Sequence, residues 1–481
     1  MVDSFLTTPQ RVPDVPACPA VLTVMLILCA PLLAQRPAAD YDHLGRDILK
    51  ELIETDTTHS SGSTTIAAER MGSRLRTAGF PAGDVQILTG ADRHGNLVAR
   101  YRGTGARKPI LFLAHLDVVE ARREDWSMDP FALTERDGFF YGRGTLDVKG
   151  GAATLVAAFM RLRQEGFVPD RDLVLALTAD EEGGTDNGVQ WLLANHRDLF
   201  DNDYCINVDA GGPEWRNGKV VAIDVEAAEK VYQSFTLTAK HPGGHSSLPT
   251  RDNAIYRLTA ALQRLAAFEF PARTNDVTRA YFAAMAPLAS RPEQTTDMRA
   301  VSTEPLNTAA ATRLSAASAF YNALLRTTCV ATMLQGGHAE NALPQTAQAT
   351  VNCRMLPDDK PGAVQQTLQR VVADPQIEIA SLGPPTPSPP SPLAPDVFKA
   401  IETVSRQVWG DIPVVPFMET GATDGLYLRN AGIPVYGVAP IPYDVDDVRS
   451  HGKDERILVR SYSDGLEFAY RLIARLGKGQ M

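Results

Sequence analysis

No basic stripe runs through this chain. Asp and Glu number 57 against 47 Lys and Arg, a formal net charge of -10. A nucleic-acid binder needs clustered cations to meet phosphates, so nucleic acid is not an expected partner, and an anionic membrane surface is disfavoured by the same charge. Cysteine is scarce as well, with five in all, of which Cys18 and Cys29 fall near the N-terminus. Cys205, Cys329 and Cys353 are left, odd in number and set in apolar segments. The expectation is therefore buried thiols rather than a disulfide framework. A long apolar run is also missing. Residues 20–34 (AVLTVMLILCAPLLA) are uncharged, but shorter than the about 20 residues that a membrane-spanning helix needs. They have the length of a signal-peptide core, with Ala34 at a cleavage spacing. Residues 1–39 are thus expected to be an export leader, giving a periplasmic or secreted protein with no stable span after cleavage. An uncleaved N-terminal anchor is the alternative.

At 481 residues the chain exceeds a single core, so two domains are expected. Up to about residue 229, short apolar runs alternate with helical spacing, the mark of an α/β fold built on a mostly parallel sheet. Residues 64–79 read as an amphipathic helix closed by Gly79. From residue 232 the pattern changes to strand, helix, strand, strand, helix, strand. That is the order of a ferredoxin-like (βαββαβ) unit, with a mostly helical insertion over residues 272–326. Residues 383–395 (GPPTPSPPSPLAP) cannot form regular structure and read as a semi-rigid linker. The expected division is a catalytic domain from residues 40–229 and 388–481, with residues 230–387 inserted between its halves.

Three apolar runs end in metal-binding chemistry. One closes on His115-Leu116-Asp117, one on Gly142-Arg143-Gly144-Thr145-Leu146-Asp147, and one on Asp180-Glu181-Glu182. Strands of an open α/β sheet gather such groups at their carboxyl edge, where ligands bind. His115 can ligate a metal while Asp117 tunes the ring. The glycine-rich turn is no dinucleotide fingerprint, because its sixth position is Asp147 rather than Gly, and a carboxylate repels a pyrophosphate. A carboxylate fixed by a glycine turn suits a bridge between two cations. Adjacent Glu181 and Glu182 can divide ligation and general-base work between them. Asp209 closes a further apolar run, and His451 lies far along the chain. Two His and three carboxylates meet the needs of two zinc ions sharing a bridging carboxylate, with cobalt or manganese as admissible substitutes.

These motifs resemble the di-zinc metallopeptidase family of aminoacylase-1, carboxypeptidase G, carboxypeptidase S and succinyl-diaminopimelate desuccinylase. The resemblance runs from about residue 40 to the C-terminus. It rests on His115-Leu116-Asp117-Val118-Val119, residues 126–131 and residues 137–144 in combination. It implies that Asp147 bridges the metals, that His115 and Asp209 complete one site, and that Glu182 and His451 complete the other. Glu181 would be the general base and Asp117 the group orienting His115. The inserted domain would be a lid and a dimerisation surface, with His245 of Gly243-Gly244-His245-Ser246-Ser247 polarising the scissile carbonyl. Asn341 and Arg354 would hold a substrate carboxylate. Gly421 and Thr423 would belong to a substrate loop, in which Ala422 replaces the family's second glycine. The implied activity is cleavage of an amide bond in a small peptide or N-acyl amino acid with a free carboxylate, most similar to carboxypeptidase S. Deacylation or desuccinylation of a small metabolite is the alternative, and a non-catalytic binding homologue the remote one.

Overall fold

The computed structural model describes residues 38–183 and 186–479. The signal-peptide reading of residues 20–34, with Cys18 and Cys29, lies outside the described residues. Among the described residues no helix is long and apolar enough to cross a membrane.

A ten-stranded sheet dominates. Its centre comprises Leu173–Thr178, Ile110–His115, Tyr204–Asn207 and Val435–Gly437, laid side by side and parallel. Every residue of Ile110–His115 and of Leu173–Thr178 is buried, as a strand covered on both faces must be. The period-two alternation divides their side chains between two apolar clusters. Phe112 and Leu175 join one, and Leu111, Leu113 and Val174 the other. Helix Lys149–Gln164 lies against the first of these faces, where its small residues Ala152 and Ala153 are fully buried.

Away from the centre antiparallel and parallel pairings both occur, so the sheet is mixed rather than mostly parallel. Val85–Thr89 pairs antiparallel with Gly95–Tyr101, and Gly212–Arg216 with Lys219–Glu229. Local turn chemistry accounts for the second pair. Asn217 and Gly218, both at positive φ, make the two-residue turn that suits a tight hairpin. Helix Thr64–Thr77 ends where Gly79 takes φ +97°. The Phe80 and Gly79 amides then reach back to the carbonyls of Leu75 and Arg76, at 3.1 and 3.0 Å, a Schellman closure.

A second, four-stranded sheet runs in the order Thr328–Gly336, Thr346–Met355, Val231–Lys240, Ile377–Leu382, antiparallel throughout. Helices Ala254–Ala266 and Pro361–Val372 pack on it around Phe235, Leu258, Val351 and Leu368. The expectation of free buried thiols fails here. Cys329 and Cys353 sit directly opposite each other on adjacent strands and form a disulfide, leaving Cys205 as the free buried thiol among the described residues. Counting cysteines could not reveal a cross-strand pairing set by register.

Residues 272–326 form four short α-helices and a 3₁₀ turn. Their apolar residues Val277, Phe282, Met298 and Leu314 belong to the same cluster as the large sheet, and Tyr281 meets Phe417 of strand Val414–Glu419. The proline-rich stretch before helix Pro395–Trp409 lacks regular structure but is anchored. Ser388 and Ser391 are buried, donating to the Glu229 carboxylate and, at 2.7 Å, to the Val435 carbonyl.

Candidate metal centre

Five segments deliver ligand atoms to one edge of the large sheet. His115 is the last residue of its strand and is 2% exposed. Its Nδ1 lies 2.9 Å from the Asp117 carbonyl oxygen, so Nδ1–H donates there and Nε2 is left as the free lone pair. That Nε2 is buried and has no hydrogen-bond partner. It lies 3.3 Å from Asp147 Oδ1 and 3.4 Å from Asp209 Oδ1. A tetrahedral zinc with bonds of about 2.0–2.1 Å has ligand–ligand edges of about 3.3–3.4 Å, so these atoms fit one ion. The other oxygen of Asp147, Oδ2, lies 3.2 Å from His451 Nε2, which is 2.8 Å from Glu182 Oε1. Asp147 therefore offers one oxygen to each of two ligand groups, His115–Asp147–Asp209 and Asp147–Glu182–His451.

The Asp117 carboxylate stands 3.6 Å from His115 Nδ1. Its hydrogen bonds run instead to the backbone amides of Glu181 and Glu182, at 3.1 and 2.9 Å. In this way it ties the strand carrying His115 to the turn carrying the acidic pair. Glu181 joins His115 and Glu182 in a third close group.

Glu455 was not singled out from the sequence, although it lies only four residues beyond His451. It is fully buried. Its carboxylate accepts from the amides of Gly144, Leu146 and Asp147 and from Arg143 Nη1, at 3.1, 2.7, 3.1 and 2.7 Å. The turn that presents Asp147 is thus wrapped around one carboxylate. Asp424 was passed over in the same way, at the end of Gly421-Ala422-Thr423-Asp424. It accepts from Thr178 Oγ1 and Asn187 Nδ2, at 3.2 and 2.5 Å.

The electrostatics are those of a site built for cations. Burial pushes Asp209 up to about 6 and Asp424 to about 7. Burial also raises Glu181 well above the usual carboxylate range, and the neighbouring Asp209 charge adds to it. Hydrogen bonds to Asp147 and Glu182 raise His451 to about 10. His115 is held well above its ordinary value, because Asp209, Asp117 and Asp147 outweigh the cost of burying its charge. Carboxylates crowded this closely repel one another unless positive charge is supplied between them.

The remaining sequence-marked residues lie around the second sheet and its junctions. His245 is exposed in a short pairing of Gly244–His245 with Ala342–Leu343, and its Nδ1 accepts from the Ser247 amide and hydroxyl at 3.1 and 2.7 Å. The Asn341 carbonyl accepts from the Ser246 amide, at 3.0 Å. Arg354 stacks its guanidinium 4.6 Å from the Tyr232 ring centre. The Gly421 amide donates to Glu419, and Thr423 donates through amide and hydroxyl to Glu229. Among the described residues, no hydrogen bond or ion pair joins His245, Asn341 or Arg354 to the ligand cluster.

Residues 111–475 match the model of Peptidase family M20/M25/M40. The chain is 30% identical over 380 residues to the human N-fatty-acyl-amino acid synthase/hydrolase PM20D1, covering 76% of this chain and 74% of that protein. It is 28% identical over 396 residues to the probable carboxypeptidase S-like 2 of Dictyostelium discoideum, covering 80% and 75%. Its fold is similar to that of the M20 family metallo-carboxypeptidase Sso-CP2 from Sulfolobus solfataricus. The TM-score there is 0.68 at 18% identity, covering 89% of this chain and 98% of that one.

Proposed function

The chain belongs to Peptidase family M20/M25/M40, and from that premise we propose a two-metal amide hydrolase in which Glu181 is the general base. That it is a hydrolytic enzyme acting on amide bonds follows from the family and its relatives. The observation that carries the finer reading is Asp147, with one carboxylate oxygen toward each of two ligand groups. Two zinc ions, or cobalt or manganese in their place, would be held by His115, Asp147 and Asp209 and by Asp147, Glu182 and His451, and would supply the charge that acidifies water and polarises a carbonyl. Glu181 accepts a proton from the attacking water. It then delivers that proton to the nitrogen as the C–N bond breaks, giving a carboxylic acid and an amine. Its raised pKa, caused first by burial, suits both steps better than an ordinary carboxylate would.

The substrate in this reading carries a free carboxylate, which docks on Arg354 and Asn341 beside the loop of Gly421 and Thr423. The fork of donors on a guanidinium favours that contact. The four-stranded unit, with its ferredoxin-like order, acts as a lid or a homodimer surface. Closure or a second copy would bring the exposed His245 over the carbonyl. Export is supported by the Cys329–Cys353 disulfide, since such bonds persist in oxidising compartments.

Two substrate classes follow from the relatives' names: peptides with a free C-terminus, and amino acids N-acylated by a long chain. Assay of the purified, zinc-loaded protein against matched dipeptides and N-fatty-acyl amino acids separates them. Cleavage of either class, lost when the substrate carboxylate is amidated, supports the reading. Equal turnover of acid and amide would remove the carboxylate-docking role.

A further inference from the structure

A second set of metal-ligating side chains stands outside the dinuclear centre. It comprises His59, His94 and Asp180, whose ligand atoms all lie within 4.8 Å of one another. None is needed by the mechanism above. His94 Nδ1 is 2.7 Å from Asp180 Oδ2, and His59 Nδ1 is 3.7 Å from Asp180 Oδ1. The two imidazole centroids are 5.5 Å apart. Asp180 is 4% exposed, and its Oδ2 is a buried oxygen without a hydrogen bond. His94, at 2.7 Å, is the imidazole that approaches that oxygen. A buried carboxylate oxygen in that position is costly unless something else satisfies it.

The three residues come from separate elements that are tied together. His59 sits in the loop after helix Ala38–Ile53. There Asp56 accepts from the Thr58 amide and hydroxyl at 2.9 and 2.8 Å, and the Gly62 amide closes back on the Thr58 carbonyl at 2.9 Å. His94 is on the turn before strand Gly95–Tyr101. Its neighbour Arg93 binds the Gly62 carbonyl through Nη1 at 3.0 Å, and the Arg93 carbonyl accepts from Thr64 Oγ1 at 3.1 Å. The two histidine loops therefore hold each other, and both face the end of strand Leu173–Thr178, where Asp180 precedes Glu181. Two imidazole nitrogens and one carboxylate, with half-exposed His59 leaving a side open to water, form a donor set for a zinc-class dication with solvent as a further ligand.

We propose that His59, His94 and Asp180 bind one additional zinc-class ion, separate from the dinuclear centre, which pins both histidine loops to the turn carrying the general base.

The test counts ions and does not depend on turnover. The purified full chain, H59Q/H94Q, H115Q/H451Q and the fourfold variant are dialysed against the same buffered free zinc, and bound zinc per chain is measured by elemental mass spectrometry. H59Q/H94Q is expected to hold one ion fewer than the unmodified chain. H115Q/H451Q is expected to retain one ion that the fourfold variant loses. An H59Q/H94Q chain that binds as much zinc as the parent, or an H115Q/H451Q chain that binds none, would overturn the proposal and leave His94–Asp180 as an ion pair. Failure of the dinuclear reading has a different signature, an H115Q/H451Q chain that matches the parent in zinc content.

Discussion

Glu455 shows how one residue can govern a site it does not itself ligate. Its carboxylate gathers three backbone amides of the Asp147 turn and the buried Arg143 guanidinium. Glu455→Ala strands that cation and those amides, so a loss of about 3–5 kcal/mol is expected in denaturant unfolding, the usual cost of breaking a buried pair. Zinc affinity should fall with it, because Asp147 is no longer held. Glu226 makes a different point. It shares Arg429 with Glu229, but Glu229 is also bonded to Thr423 and Ser388, whereas one oxygen of Glu226 is unpartnered. Burial pushes Glu226 up to about 8. The folded chain keeps this proton where the unfolded chain has lost it. The contribution to stability is therefore full below the ordinary glutamate range and is lost as pH rises toward about 8. Glu226→Gln should gain in Tm relative to the parent between pH 5 and pH 9, and a constant difference between the two would refute the assignment. At this scale the residues that the structure gathers into the two candidate ligand groups could be marked in the sequence, most of them because they end an apolar run or follow a glycine turn. Glu455 and Asp424 were not, because nothing local distinguishes a carboxylate that binds backbone amides from one in solvent.

Among elements, the parallel centre of the sheet was readable from its unbroken apolar runs, and the second sheet from the change to alternation at residue 232. The antiparallel flanks were missed. The Asn217–Gly218 turn that creates one of them is a two-residue signal, easily overlooked between longer segments. The disulfide was missed for a stronger reason. Cys329 and Cys353 become partners only when strands Thr328–Gly336 and Thr346–Met355 pair in register. It closes a loop with a sequence separation of 24, for which about 2–4 kcal/mol of stabilisation is typical. Replacing both cysteines by serine should lower stability by that order in chemical denaturation. Dithiothreitol should then have no further effect.

Across the whole molecule, the chain leaves the large sheet at strand Lys219–Glu229, builds the second sheet, and returns at strand Val414–Glu419, which pairs with that same strand. The insertion at residues 272–326 packs on the returning strand rather than forming a free appendage. Sequence spacing could show that this segment is helical but not which sheet it would cover. The consequence for function is that His115, Asp147, Glu181, Glu182 and Asp209 are brought near His451 only once the C-terminal part of the chain has folded back. The measurement that tests the central claim most directly is amide hydrolysis by the metal-stripped protein, reloaded with zinc, beside Glu181→Gln treated identically. Zinc should restore cleavage in the parent, while the variant binds as much zinc and unfolds at the same temperature but turns over about 10²–10⁴-fold more slowly. Full activity in a zinc-loaded Glu181→Gln protein would contradict the assignment of Glu181 as the base, and cleavage by the stripped parent would contradict the two-metal reading itself.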